Sequence, residues 1–328
     1  MNKNIKILLN YFLGPALFLL LSWSLYNQVK NQPDLIPRWQ QIKDSWQQPK
    51  FWIVAALMLV NWGIESRKWQ VLVHHVQRFS FLSAVKSVLC GCSITMLTPN
   101  RVGEYGGRIL NIDEGNRVKA ISLTITGSIS QLVITLLMGC AGLTFLRYFS
   151  HNGAGGLSVL PEFWGDVLIY MSVAITIVLL LFYIRLGWLV RMLEKIPALN
   201  KVVQHIRVLD EFDNKQLIQI LSLSLVRYLV FVTQYLLLLQ VMQVEIDLMI
   251  CFWLIGVFYL VMAMAPTIGF IELPVRVTAS WAILKYYTVN ELGVGAAAMG
   301  IWLINLVLPA IIGSLLILGT KIIKEKNE

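Results

Sequence analysis

The sequence predicts an all-α polytopic membrane protein: about 6 full spans plus two re-entrant, broken helical hairpins in an inverted repeat, with about 8 or 9 plain spans as the alternative. Three observations carry this. Hydrophobic residues make up 57% of the 328-residue chain and charged residues only 14%, with mean hydropathy +0.68, whereas a soluble domain is about 25% charged. Two apolar runs are interrupted by segments rich in glycine, proline and charge, Thr98–Arg108 and Pro266–Arg276. Lys and Arg are distributed unevenly among the intervening loops.

The formal charge of +9 matches the Lys/Arg excess that membrane proteins keep in cytoplasmic loops, and no nucleic-acid partner is expected. Cys90, Cys92, Cys140 and Cys251 all lie in apolar runs without metal-ligand spacing, so they read as buried small residues. His74, His75, His151 and His205 form no nucleophile or metal signature, and no cofactor is expected. Lys3 and Lys6 before Ile7–Leu25 resemble a signal peptide. The run is too long and lacks a cleavage site after Tyr26, so a retained first span is expected.

That first span covers about Ile7–Tyr26. In Asn27–Lys50, Leu35, Trp39, Ile42 and Trp46 recur at helical spacing, as in a short interfacial helix. The second span runs from Phe51 to about Val73 and carries Asn61, Glu65 and Lys68 on one face, with Arg67 beside them. A solvated helix end and a cavity-facing acid both fit. Ala84–Thr98 is apolar but spans only roughly 22 Å as a helix, short of a ~30 Å core. Val118–Leu146 follows, with Thr124, Ser128, Gln131 and Thr135 in a polar stripe that faces other helices or a cavity. Ser150–Pro161 is a Gly/Ser-rich break, dividing a first repeat at 1–148 from a second at 162–328.

In the second half, Val167–Tyr183 is a span, and six Lys/Arg between Ile184 and Lys215 suit basic amphipathic helices on anionic headgroups. The span Gln216–Val241 carries Ser224, Arg227, Phe231 and Gln234 on one face, with Arg227 near its middle. Leu248–Ala265 stops at Pro266, a short apolar piece covers about Val277–Tyr287, and Val294–Leu318 closes the chain before a basic tail.

The two broken segments correspond. Pro99, Gly103, Glu104 and Arg108 parallel Pro266, Gly269, Glu272 and Arg276, with acid and arginine four apart in each. If Ala84–Thr98 and its motif form a re-entrant hairpin, the four Lys/Arg of Arg101–Lys119 fall on the cytoplasmic side, as the charge rule prefers. Both termini are then cytoplasmic. The outer loop Asn27–Lys50, with four Lys/Arg, runs against that rule.

Half-helix ends present free N–H groups to anions, and arginine grips phosphate with two parallel bonds. Arg101, Arg108, Arg227 and Arg276 are therefore candidates to hold a lipid phosphate. Glu104 and Glu272 would order these arginines when the site is empty or receive a cationic headgroup, and Glu65 and Arg67 complete the candidate set. The expected partner is a membrane phospholipid or lipid-linked molecule, with a homo-oligomer left open.

Asn61-Trp62-x-x-Glu65-x-Arg67-x-Trp69 and Thr98-Pro-Asn-Arg-x-Gly-Glu-Tyr-Gly-Gly-Arg108 together resemble the lysylphosphatidylglycerol synthase transmembrane-region family, the flippase-like part of the multiple peptide resistance factors. The resemblance covers nearly the whole chain. In the second half the corresponding Ile268-Gly-Phe-Ile-Glu272 is poorer in glycine than the family pattern. The resemblance implies translocation of an anionic or aminoacylated phospholipid, or of a lipid-linked intermediate, in a bacterial inner membrane. It does not imply synthase activity, which in larger relatives belongs to a fused cytosolic domain. Two other readings remain: a membrane-embedded transferase with Glu104 or Glu272 as general base, and a scaffold for envelope assembly.

Overall fold

A computed structural model of the chain describes residues 35–96, 98, 102–149, 162–194, 207–265 and 272–318. The expected first span Ile7–Tyr26, the Ser150–Pro161 break, Arg101 and the basic tail lie outside the described residues, which are helical with no strand among them.

The amphipathic segment forms α1 (Leu35–Asp44), with Ile36 and Trp39 exposed and Ile42 packed on the interior. A 3-10 turn at Ser45–Gln47 leads into α2 (Pro49–Val73). Proline suits the first turn of a helix because its missing N–H would be unpaired there anyway. At 25 residues α2 exceeds the crossing length.

Ser80 caps α3 (Phe81–Thr95), its hydroxyl accepting from the Ser83 amide at 3.1 Å. The chain then doubles back into the short α4 (Gly103–Arg108). A Cβ on Gly107 would strike the Cys90 carbonyl and the Gly91 backbone, and one on Gly103 would strike the Ile94 carbonyl. These glycines let α4 lie directly on α3, and no larger residue could replace them without separating the pair.

The 32-residue α5 (Arg117–Tyr148) follows, then α6 (Glu162–Ile184) and the short α7 (Leu186–Glu194). An Asp213/Gln216 capping box starts α8 (Asn214–Val241), and Asp247 caps α9 (Leu248–Met264). Next comes α10 (Glu272–Leu284), which begins at the acid, five residues before the apolar piece expected from Val277. The last helix, α11, comprises Glu291–Trp302, a π turn at Leu303–Val307 and Leu308–Leu318. Among the described residues, α5, α6, α8 and α11 are long and apolar enough to cross a membrane.

Side-chain contacts sort the helix ends into two groups. At one end Gln48 donates to the Val241 carbonyl, Asn290 donates to the Met242 carbonyl, and Arg147 pairs with Asp166. At the other, Asn116 reaches the Val76 carbonyl and His75 packs on Phe212. The α3–α4 hairpin therefore starts and finishes at the His75 end. The α9–α10 pair, from Asp247 to the loop before Asn290, starts and finishes at the Val241 end. Its tip and that of α3–α4 fall largely outside the described residues.

Glycines also bring α5 and α9 together, antiparallel. A Cβ on Gly139 would sit 2.5 Å from that of Leu260, and one on Gly142 would sit 2.8 Å from the Trp253 carbonyl. Small residues set close approach where apolar burial cannot drive helices together in lipid. Two large apolar cores result among the described residues, beside a small cluster of Cys92, Leu306 and Ala310. One gathers Trp69, Leu72, Leu123, Tyr183 and Ile220 at the His75 end. The other gathers Val54, Leu143, Tyr235, Leu254 and Val294 at the Val241 end. The polar residues collect between them.

Candidate functional site

Glu65 on α2 is the hub. It is 3% exposed, and three cations from three elements converge on it. Lys68 Nζ, one helical turn on, lies 2.9 Å from Oε2. Arg227 Nη1, from halfway along α8, lies 2.9 Å from the same oxygen. Arg108 of α4 bonds Oε1 with Nη2 and simultaneously pairs with Glu104 on its own helix. Lys68 also donates to the Gly127 carbonyl and to Ser224 Oγ, which bonds Ser130. The Trp69 ring lies under Arg108, and Trp62 and Phe231 flank Arg227.

A second polar line extends from this hub. Arg227 Nε donates to Asn61 Oδ1 at 2.8 Å, and Asn61 Nδ2 donates to Asn305 Oδ1 at 2.9 Å. Asn305 sits inside the π turn of α11. Pro309 has no N–H to give the Asn305 carbonyl, and the Leu308 amide reaches back five residues to Leu303. Wide turns of this kind recur at functional sites. On α10, Arg276 donates from Nε and Nη2 to Glu272 Oε1, at 2.9 and 2.7 Å.

These groups border a cavity of about 460 Å³, whose wall includes Glu65, Lys68, Glu104, Arg227, Arg276 and Asn305. Ser128, Gln131 and Thr135 of the α5 stripe also line it, as do Trp62, Phe231 and Tyr259. The fourth stripe residue, Thr124, is instead buried and donates to the Ala120 carbonyl. Among the described residues no group of three or more His, Cys, Asp or Glu could hold a metal ion.

Of the sequence-predicted residues, Glu65, Glu104, Arg227 and Arg276 line one space, and Arg108 and Glu272 join it only through their ion pairs with Glu65 and Arg276. Arg101 lies outside the described residues. Arg67 does not join: it is exposed and donates to Gln70 at 2.6 Å, because its position on α2 turns it away from the Glu65 face. The polar end of α2 is thus a buried cluster and not a solvated helix end. Lys68, Trp62 and Asn305 are the residues that the candidate set omitted. For Lys68 the i, i+3 spacing from Glu65 was the available signal. For Asn305 it was the proline four residues later.

Burying several ions is costly, and their mutual attraction does not generally exceed what well-packed apolar residues would give. A charged cluster buried among helices of a membrane protein is therefore a candidate functional site.

Compared with known protein families, the chain matches the lysylphosphatidylglycerol synthase TM region over residues 11–313. No curated protein matches it, and neither does any solved structure.

Proposed function

The chain belongs to the lysylphosphatidylglycerol synthase TM region family, and from that premise we propose that it is a non-enzymatic translocator of a phospholipid or lipid-linked molecule. One observation carries this reading: a cavity of about 460 Å³ in which buried arginines and carboxylates meet between two apolar cores. Such a space can take a polar headgroup at mid-membrane depth while the acyl chains stay in lipid, lowering the cost of moving charge through hydrocarbon.

In this reading α3–α4 and α9–α10 are re-entrant hairpins entering from opposite faces, one from each half of an inverted repeat. The contacts that return each pair to the end it came from support it. The Glu104–Arg108 and Glu272–Arg276 pairs, i and i+4 in both hairpins, support it as well. Arg78, Lys86, Arg117, Lys119, Arg185 and Arg207 cluster toward the His75 end, which the charge rule places in the cytoplasm. The protein is then a multi-pass component of a bacterial inner membrane with both termini cytoplasmic.

The test is exchange of fluorescent phospholipids in proteoliposomes, read by dithionite quenching. The expected result is quenching beyond the outer-leaflet share, dependent on the protein. Equal quenching with and without the protein, across several headgroups, would overturn the proposal.

A further inference from the structure

Apart from the ion pairs, residues of the cavity wall carry buried polar atoms that nothing among the described residues satisfies. They are the indole N–H of Trp62 on α2 and of Trp302 on α11, Asn305 Nδ2 in the π turn, the Tyr259 hydroxyl on α9 and Gln131 Oε1 on α5. Asn305 is 6% exposed. Folded proteins pair nearly all such atoms, so five of them around one space point to a partner that fills it. The Tyr228 hydroxyl is unpartnered as well, but it lies in the α8–α9 packing, 3.4 Å from where a Gly256 Cβ would stand.

The direction of these missing hydrogen bonds is set. An indole can only donate. Arg227 Nε donates to Asn61 Oδ1, so Asn61 must turn Nδ2 toward Asn305 Oδ1, and Asn305 keeps its own Nδ2 to offer. Gln131 gives Nε2 to the Ser224 carbonyl, which leaves its oxygen, an acceptor only. A ligand must therefore accept at three points, donate at one and meet a phenol that does either.

Phosphate oxygens accept but have nothing to give Gln131, and an ammonium group cannot take from an indole. An acyl chain would leave all five atoms unpaired. A phosphoethanolamine headgroup has both kinds of group, but at opposite ends of a flexible link. Hydroxyls accept and donate from one atom. The five groups stand on four helices around a space of about 460 Å³, wider than the adjacent hydroxyls of a glycerol headgroup can span. A ring with hydroxyls around its rim meets them from one position, and its C–H face can lie on the flat aromatic surfaces of the wall.

We infer that the cavity binds a polyhydroxylated ring, a sugar or cyclitol, as the headgroup of its lipid, with Trp62, Trp302 and Asn305 donating to ring hydroxyls and Gln131 accepting from one. The inference rests on the translocator reading for its lipid but on these neutral side chains for its headgroup.

The test is native mass spectrometry of the purified full chain in a polyoxyethylene detergent, which has no sugar to compete. The probes are the dihexanoyl forms of phosphatidylinositol, phosphatidylglycerol, phosphatidylethanolamine and phosphatidylcyclohexanol, together with free inositol 1-phosphate. Phosphatidylinositol and phosphatidylcyclohexanol share charge and ring and differ only in the hydroxyls. Phosphatidylinositol is expected to bind about tenfold more tightly than phosphatidylcyclohexanol, which leaves the site's polar groups unpaired, and more tightly than the other two lipids. Trp302→Phe keeps an aromatic ring and removes the N–H. It is expected to cut that preference to about threefold while the affinity for phosphatidylcyclohexanol stays unchanged, a split that loosened packing would not give. Tyr259→Phe is expected to act in the same direction, and it keeps the test decisive if Trp302→Phe fails to fold.

Phosphatidylinositol binding no tighter than phosphatidylcyclohexanol, phosphatidylglycerol or phosphatidylethanolamine would overturn the inference, as would Trp302→Phe weakening both ring lipids alike. Inositol 1-phosphate binding as tightly as the lipid would overturn the assignment to a lipid headgroup. Binding is measured apart from transport, so selective binding without leaflet exchange would sink the translocator reading alone.

Discussion

Glu65 holds the site together because three cations depend on one carboxylate. Replacing it with Gln removes the acid that Lys68, Arg227 and Arg108 share, while Arg108 keeps Glu104. Removing one partner of a buried charged set typically costs about 3–5 kcal/mol, because the remaining charges lose compensation they cannot regain from water. Glu65→Gln is therefore expected to lower thermal stability in detergent by that order. Arg67→Gln, two positions along on the exposed side, is expected to stay within about 0.5 kcal/mol. Equal effects of the two would contradict the hub. The sequence made part of this legible: Asn61, Glu65 and Lys68 fall on one helical face, while Arg67 does not. It could not say whether that face meets water or protein, because the partners arrive from residues 43 and 162 positions away, Arg108 and Arg227. Distance along the chain carries no charge signal.

At the scale of elements, the α3–α4 hairpin depends on glycines of two different kinds. Gly107 faces the Cys90 carbonyl, whereas a Cβ on the neighbouring Gly106 would meet nothing within 4 Å. Gly107→Ala is expected to destabilise by about 1–3 kcal/mol through overpacking, and to loosen Arg108, the next residue. Gly106→Ala is expected to be neutral or stabilising by up to about 1 kcal/mol, since alanine favours helix. Thermal unfolding of the two variants side by side checks this. The hairpin itself could be anticipated from a short apolar run that stops at glycine and proline. The wide turn of α11 could not, because Leu303–Val307 reads as ordinary helix and only Asn305 and Pro309 mark a disturbance.

For the whole molecule, the placement of the helix ends makes topology measurable. His74 and Glu245 are exposed and belong to opposite ends of the bundle. The four native cysteines are buried, so an introduced thiol dominates labelling. On intact cells an impermeant maleimide is expected to label Glu245→Cys, and to reach His74→Cys only after permeabilisation. Labelling of both, or the reverse pattern, would overturn the proposed orientation. Hydropathy gave the order and approximate bounds of most of the described helices, because apolar length is a local property. The convergence of α2, α4, α8, α10 and α11 on one space was legible only as unexplained polarity: Arg227 mid-helix, Glu272 after a break.

The π turn has a mechanical side as well. A turn that closes on the fifth residue holds one residue more than its neighbours, so α11 is two rods joined at a wide coupling. Each single-residue step of an α-helix is a rotation of about 100°. A coupling with one residue in reserve lets the rod Glu291–Trp302 turn against the rod Leu308–Leu318 by exchanging a few backbone bonds, without unravelling either. Asn305 sits in that coupling and holds Asn61, which holds Arg227. Any rotation of the last helix at this turn would therefore be passed to the guanidinium through two hydrogen bonds.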